Sequence, residues 1–185
     1  MTTHIGIYDK VLSAKDCEVL INQFEKGPHQ EGGFYEKEQY NINHSYKKSI
    51  ELKDSRFTNK SVISNLILPI LKGCINKHIE RSPSLKYIHT FGIDDHYNFQ
   101  KYDGEDDGYK IWHSDRVGPR VLVWMFYLNN AKSGTEFMHY PTVRAKIGRC
   151  VIWPVGYTHV HRGVTPNKGV KYIITGWASF KDYTK

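Results

Sequence analysis

The sequence predicts an α+β fold in which N-terminal helices pack on one face of a β-rich core. Apolar residues recur at helical spacing in two segments within the first 82 residues. Beyond residue 87, short aromatic or β-branched runs alternate with turn clusters, without helical patterns between them. Strands at this spacing favour a sandwich or jelly roll. One domain is expected over residues 1–185, with a helical part at about 1–82 and a jelly-roll core at about 87–180.

The first helix is predicted to begin after Ser13. Asp16 stands three positions later, which makes a variant of the capping box. Apolar residues then recur at helical spacing until Gly27-Pro28 ends the run. A polar stretch at 29–54 follows. We expect this stretch to be irregular, and its composition indicates no role for it.

A second, longer amphipathic helix is predicted over residues 62–75, where apolar residues again follow the helical period. Pro69 lies inside it. Because proline lacks an amide hydrogen and its ring crowds the preceding turn, we expect a kink or a split there. Four strands are predicted from the aromatic and β-branched runs farther on: 87–100, 120–128, 150–154 and 170–180.

The composition favours a protein that is neither stapled by disulfides nor inserted in a membrane. The three cysteines are far apart and form no C-x-x-C motif. The longest apolar stretch, 62–71, is too short and too polar to span a bilayer, and no secretory pattern is visible. We therefore expect a cytoplasmic protein. The net charge of +7 makes nucleic acid a candidate partner. The lysines are scattered, however, which is typical of a solvated basic surface.

The segment Trp112-His113-Ser114-Asp115 is the first with metal-binding character. Residues i and i+2 of a strand project from the same face, so the His113 imidazole and the Asp115 carboxylate are expected to point together. These are two ligands of the 2-His-1-carboxylate triad that holds non-haem iron(II). A second imidazole follows the strand predicted at 150–154. Both His159 and His161 are candidates there, because they share a strand face.

Several sequence blocks follow one another along about residues 95–180. They are Tyr102 ahead of the H-x-D motif, then 120–129, 133–137, 147–149, and a distal histidine followed by Gly169-x-Lys171. In this order they resemble the prolyl 4-hydroxylase branch of the 2-oxoglutarate and Fe(II)-dependent oxygenases. The resemblance implies a double-stranded β-helix (jelly roll) core. It also implies Fe(II), 2-oxoglutarate and dioxygen as cofactor and cosubstrates, with ascorbate as a candidate reductant.

The resemblance further implies which residues hold the iron and the cosubstrate. In the family, the distal iron ligand stands ten positions before the basic residue that pairs with the far carboxylate of 2-oxoglutarate. His161 and Lys171 have this spacing. The resemblance therefore favours His113, Asp115 and His161 as the iron ligands and Lys171 as the anchor, with His159 as the alternative distal ligand.

Three further positions are assigned by the same resemblance. Tyr102 matches the family tyrosine that helps to hold the cosubstrate. Its distance from the H-x-D motif is longer than usual, which leaves Tyr109 and Tyr97 as rivals. Arg120 and Trp177 match positions at the barrel mouth that contact substrate. Their structural alternatives are a surface ion pair for Arg120 and a core ring for Trp177.

The function implied by the resemblance is hydroxylation of an unactivated C–H bond, with release of succinate and CO2. The favoured reaction is prolyl 4-hydroxylation in a peptide or protein, for which an extended polyproline II segment is the natural substrate conformation. A nucleic-acid demethylase is the alternative that the positive charge suggests, although such enzymes usually anchor the cosubstrate with arginine. A small-molecule oxygenase and a non-catalytic jelly-roll binding module also remain as alternatives.

Overall fold

The computed structural model describes residues 3–36, 39–166 and 169–181. Within these ranges there are two α-helices, α1 (Ala14–Lys26) and α2 (Val62–Arg81), and two short 3-10 helices, Pro83–Tyr87 and Tyr157–His159. The strands are β1 (Gly6–Tyr8), β2 (His29–Glu31), β3 (Phe34–Glu36), β4 (Gln39–Asn41), β5 (Lys47–Lys48), β6 (Ile50–Leu52), β7 (Phe91–Tyr102), β8 (Gly108–Tyr109), β9 (Arg120–Tyr127), β10 (Gly134–Phe137), β11 (Tyr140–Arg144), β12 (Arg149–Pro154), β13 (His161–Val164) and β14 (Lys171–Phe180).

Two antiparallel sheets form the core of the molecule. The larger has seven strands in the order β1-β12-β9-β14-β7-β6-β2, and the smaller has three in the order β11-β10-β13. Apolar side chains from both sheets meet in one buried cluster between them. Two short ribbons, β3-β4 and β5-β8, lie outside these sheets. This is an α+β fold with a jelly-roll core, as the sequence predicts.

Strand β9 separates the helical layer from the space between the sheets. Its residues Leu122, Trp124 and Phe126 pack in the cluster that includes the apolar faces of α1 and α2. The intervening Val123 and Met125 pack in the cluster between the sheets. Successive strand residues point to opposite faces, so one continuously apolar strand supplies both layers. The helices therefore lie on the face of the large sheet that is remote from the small one.

The helices match the predictions in position but not in every detail. Ser13 and Asp16 form the capping box at the start of α1. Helix α2 runs without interruption through Pro69, so the expected split does not occur. Pro69 and Asn65 both lie on the exposed side of the helix. Because proline has no amide hydrogen, the Asn65 carbonyl lacks the helical hydrogen bond that residue 69 would otherwise donate. Water can satisfy that carbonyl while the buried face of α2 stays packed. In the described ranges, neither helix combines the length and apolar character needed to cross a membrane.

The polar stretch 29–54 is not irregular, and the N-terminal part is not purely helical. Five short strands, β2 to β6, lie within this stretch, and β1 precedes α1. Three of them have partners that are distant in sequence: β1 pairs with β12, β5 with β8, and β6 with β7. Strands of two or three residues are too short to show an alternating pattern. The sequence patterns also missed β8, β10, β11 and β13, which have two to five residues.

Candidate active site

The two halves of the predicted metal site meet through the backbone. His113 and His161 form an isolated antiparallel bridge, with N···O distances of 3.0 and 2.9 Å between their main chains. Their ring centroids are 4.4 Å apart. His161 is the first residue of β13, whereas residues 114–116 lie outside any strand. The bridge, and not the strand expected over the H-x-D motif, therefore places His113.

Asp115 completes a compact group of ligands. Its Oδ2 lies 3.2 Å from Nε2 of His161, and the ligand atoms of His113, Asp115 and His161 all lie within 4.8 Å of one another. The other carboxylate oxygen, Oδ1, accepts a hydrogen bond from the indole Nε1 of Trp177 at 3.1 Å. Two imidazoles and one carboxylate are the donor set of a non-haem iron(II) facial triad.

Main-chain carbonyls orient both imidazoles of this triad. Nδ1 of His113 lies 3.1 Å from the Ile111 carbonyl, and Nδ1 of His161 lies 3.0 Å from the His159 carbonyl. Because a carbonyl oxygen can only accept, each Nδ1 carries a proton, and Nε2 of each ring faces the site. Burial, together with neighbouring His161, lowers the pKa of His113 to about 4, which keeps it neutral. Nε2 of His161 faces the Oδ2 atom of Asp115, and a metal cation that binds both atoms would serve as their shared partner.

His159 lies outside the triad. It ends the 3-10 helix Tyr157–His159, which breaks the strand alternation that the sequence suggested. Both of its ring nitrogens have other partners: Nε2 lies 2.9 Å from the Thr3 carbonyl, and Nδ1 lies 2.9 Å from the Thr158 hydroxyl. Its ring also stacks on Tyr140, with the centroids 5.0 Å apart. The geometry therefore favours His161 over His159 as the distal ligand.

The predicted anchor and the predicted tyrosine lie in the same cavity as the triad. Lys171 is 2% exposed and Tyr102 is 3% exposed, and both line the cavity beside His113, Asp115 and His161. The Lys171 ammonium donates a hydrogen bond to the Val164 carbonyl at 3.0 Å. Burial lowers the pKa of Lys171 to about 7. An exposed strand lysine, the structural alternative, is therefore excluded.

The rival tyrosines occupy different places. Tyr97 packs in the cluster of the helical layer, on the opposite face of the large sheet from the cavity. Tyr109 does line the cavity, and its ring stacks on His113 with centroids 3.7 Å apart and an interplanar angle of 14°. Tyr102 and Tyr109 thus both reach the site, but Tyr102 is the tyrosine beside Lys171, whose ammonium lies 4.5 Å from its ring centroid.

Arg120 and Trp177 form a pair at the edge of the site. The Arg120 guanidinium stacks over the Trp177 ring, with its central carbon 3.5 Å from the ring centroid. Trp177 lines the cavity, and its indole N–H is the group that contacts Asp115. The structural alternatives were a surface ion pair for Arg120 and a core ring for Trp177, and this arrangement matches neither of them. The contact from Trp177 to the carboxylate ligand was not predicted, because no sequence pattern connects the two residues.

Residues 95–179 match the family model described as the 2OG-Fe(II) oxygenase superfamily. This segment is therefore similar to a 2OG-Fe(II) oxygenase domain. A search of curated protein sequences returns no match.

Solved structures of prolyl hydroxylases resemble nearly the whole chain in fold. A prolyl hydroxylase from Trichoplax adhaerens, in complex with a hypoxia inducible factor peptide fragment, has a TM-score of 0.74 and 16% identity, covering 98% of this chain and 86% of that one. A Pseudomonas putida prolyl-4-hydroxylase has a TM-score of 0.68 and 16% identity, with coverages of 95% and 92%. The viral collagen prolyl hydroxylase of Paramecium Bursaria Chlorella virus-1, in its 2OG complex, has a TM-score of 0.65 and 18% identity, with both coverages 96%. These likenesses confirm the fold.

The cavity fits the cofactor and cosubstrate of that superfamily, Fe(II) and 2-oxoglutarate. The triad offers two imidazole nitrogen ligands and one carboxylate oxygen ligand for iron. Lys171 offers a buried ammonium on the same cavity wall for a carboxylate.

Three more polar residues, Lys47, Glu51 and Gln100, are buried at or beside this cavity although the sequence patterns assigned them no role. The alternation of Asn98, Gln100 and Tyr102 along β7 is the one sequence signal that indicates a polar inner face.

Proposed function

We propose that the protein is a 2-oxoglutarate- and Fe(II)-dependent dioxygenase that hydroxylates a prolyl residue at C4 in a peptide or protein. The observation that carries the proposal is one cavity that brings the triad of His113, Asp115 and His161 together with the buried ammonium of Lys171. Residues 1–185 would act as one catalytic domain. Three buried free cysteines agree with a reducing cytoplasm, where iron stays ferrous.

Each part of the cavity has a distinct task in this reaction. His113, Asp115 and His161 would hold Fe(II), and three ligands of this kind leave positions on the metal for cosubstrate and dioxygen. When bound, the iron supplies dioxygen activation coupled to oxidative decarboxylation of 2-oxoglutarate to succinate and CO2. Lys171 would pair with the far carboxylate through a charge-assisted hydrogen bond. The protein supplies geometry, charge and exclusion of water.

The interior around the triad suits a reaction that water would quench. Val123, Met125, Trp153 and Ile173 line the cavity and are each at most 8% exposed. The Tyr127 hydroxyl is hydrogen-bonded to Thr135, at an oxygen–oxygen distance of 2.6 Å. This wall therefore offers few polar groups to solvent. In such a low-dielectric site, the attraction between Lys171 and a bound carboxylate is stronger than it is in water.

Three features favour a prolyl substrate. The three similar structures described above are prolyl hydroxylases, and the one from Trichoplax adhaerens is in complex with a peptide. The Arg120 guanidinium and the Trp177 ring that it covers lie beside Asp115. There a proline ring would stack on the half-buried indole, and Arg120 would bind a peptide carbonyl. The anchor is a lysine, as in prolyl 4-hydroxylases, and not the arginine usual in nucleic-acid demethylases.

The test is turnover with matched substrates. The protein with Fe(II), ascorbate and 2-oxoglutarate should form succinate with a Ser-Pro repeat peptide and add one oxygen atom to it, as read by mass spectrometry. A Ser-Ala repeat peptide is the control and should stay unmodified. Asp115→Ala should abolish both products. Oxygen transfer to a methylated oligonucleotide, with the Ser-Pro peptide unchanged, would overturn the prolyl assignment. Absence of succinate with every substrate would contradict the oxygenase itself.

A further inference from the structure

Four buried polar side chains form a continuous chain of hydrogen bonds beside the cavity. The Lys47 ammonium donates to the Gly33 carbonyl at 2.7 Å and to Glu51 Oε1 at 2.5 Å. The Gln100 Nε2 amide donates to the same Glu51 oxygen at 2.6 Å. Tyr102 then donates its hydroxyl hydrogen to Gln100 Oε1 at 2.9 Å. The chain thus runs from the ribbon strand β5 to the tyrosine of the proposed cosubstrate site.

Strand pairing places this network on one face of the large sheet. Glu51 stands opposite Gln100 in the β6-β7 pair, and Tyr102 lies two residues along β7 on the same face. Tyr102 in turn stands opposite Lys171 in the β14-β7 pair. The network therefore crosses β6, β7 and β14 in sequence and ends at the anchor.

Burial makes each link of the network depend on the next. Lys47, Glu51 and Gln100 are 3%, 5% and 4% exposed. A buried carboxylate or ammonium without a partner is strongly unfavourable, so Lys47 and Glu51 need each other. The paired carboxylate accepts from the Gln100 amide nitrogen, and that contact turns the amide oxygen towards Tyr102. The Tyr102 ring is thereby held under Lys171, at 4.5 Å from its ammonium.

We propose that Lys47 is a positioning residue for cosubstrate binding, which acts through Glu51 and Gln100 to hold Tyr102 against Lys171. This inference rests on the proposed function of the cavity. It gives residues 47–51 a role in the oxygenase site. Lys47 also lines the cavity, so the alternative is that its ammonium contacts 2-oxoglutarate directly. Its two acceptors, the Gly33 carbonyl and the Glu51 carboxylate, favour the positioning role.

The experiment compares 2-oxoglutarate affinity among charge variants. It uses anaerobic titration of the Fe(II)-loaded protein, followed by the visible absorption of the iron chelate. Lys47→Met leaves the Glu51 carboxylate unpaired beside a pocket for a dianion, and it should weaken 2-oxoglutarate binding by on the order of tenfold or more. The double variant Lys47→Met/Glu51→Gln removes both charges and keeps an acceptor for Gln100. It should bind within about threefold of the wild type.

The adjacent residue Lys48 provides the matched control. Its ammonium lies on the exposed side of the same ribbon, 3.1 Å from Asp107, with the side chain 43% exposed. Lys48→Met should leave the affinity for 2-oxoglutarate unchanged. In turnover assays, Lys47→Met should raise the KM for 2-oxoglutarate and leave kcat at saturating cosubstrate near the wild-type value. General misfolding would lower kcat and alter the far-UV circular dichroism as well.

Three outcomes would overturn the inference. If Lys47→Met binds 2-oxoglutarate as the wild type does, the network has no effect on the pocket. If the double variant binds as weakly as Lys47→Met, Lys47 contacts the cosubstrate directly. If Lys47→Met does not fold, Gln100→Leu is the second variant, because it keeps the Lys47–Glu51 pair. Unchanged affinity of Gln100→Leu for 2-oxoglutarate would also contradict the proposal. Absence of the chelate band in the wild type would be a different failure, that of the proposed function.

Discussion

Lys171 stands directly opposite Tyr102 in the antiparallel pair of β14 and β7, and its ammonium lies 4.5 Å from the centre of the tyrosine ring. Among the described residues, the Val164 carbonyl is the hydrogen-bond acceptor found for this ammonium. An ammonium has three donors, so two remain for a ligand in the cavity. The pairing register of two strands therefore presents a buried cation to the space that also contains the iron triad.

The first prediction concerns the charge of the anchor. Lys171→Met should weaken 2-oxoglutarate binding by about 10- to 100-fold, because a hydrogen bond to a charged group contributes about 1.5–3 kcal/mol. Anaerobic titration of the chelate band measures the change. Lys132→Met, on an exposed loop, is the matched control and should bind normally. Wild-type affinity in Lys171→Met would show that the far carboxylate is held elsewhere.

The second prediction is a pH dependence of cosubstrate affinity. Burial lowers the pKa of Lys171 to about 7, so the free protein loses the ammonium as pH rises through that value. Only the ammonium form attracts a carboxylate. Affinity for 2-oxoglutarate should thus be constant below pH 7 and fall by up to about tenfold per pH unit above it. Lys171→Arg stays charged and should remove this inflection, and an unchanged inflection would assign it to another group.

The third prediction separates the two distal histidines. His161→Ala should abolish Fe(II) binding and the chelate band, because it removes a ligand of the triad. His159→Ala should retain the band and lower the free energy of unfolding by about 1 kcal/mol, since the half-buried Thr3 carbonyl loses its partner. Iron titration and urea denaturation give the two readouts. Loss of iron in His159→Ala, with His161→Ala unaffected, would reverse the assignment.

The fourth prediction concerns the indole that contacts the carboxylate ligand. Trp177→Phe removes the hydrogen bond to Asp115 and keeps an aromatic ring beneath Arg120. Loss of a partner of a metal ligand typically costs 10- to 100-fold, so Fe(II) affinity should fall by about this factor. Arg120→Gln should instead raise the KM for peptide and leave Fe(II) affinity unchanged. Equal iron affinity in Trp177→Phe and the wild type would mean that the indole does not support Asp115.

The parts of the fold that sequence predicted are those with strong local patterns. The capping box of Ser13 and Asp16 starts α1, and the long apolar run of β9 lies within a residue of its predicted bounds. The missed strands β5 and β6 have two and three residues. Such segments become strands because β8 and β7 supply their hydrogen-bond partners, and neither partner is local. Pro69 shows the converse, since tertiary packing overrode a local helix-breaking signal.

The sequence by itself determined which chemical groups this protein has available: the H-x-D motif, a later histidine, and a lysine ten positions after His161. Only the tertiary structure decided how they meet. In the folded chain, backbone hydrogen bonds join His113 to His161, and the indole of Trp177 donates a hydrogen bond to Asp115. His159 lies in a 3-10 helix, outside the triad. The fold also buries Lys47 with Glu51 next to the cavity. The bridge and the indole contact link residues that are remote in the chain, so they depend on strand register and burial, which local sequence patterns do not encode.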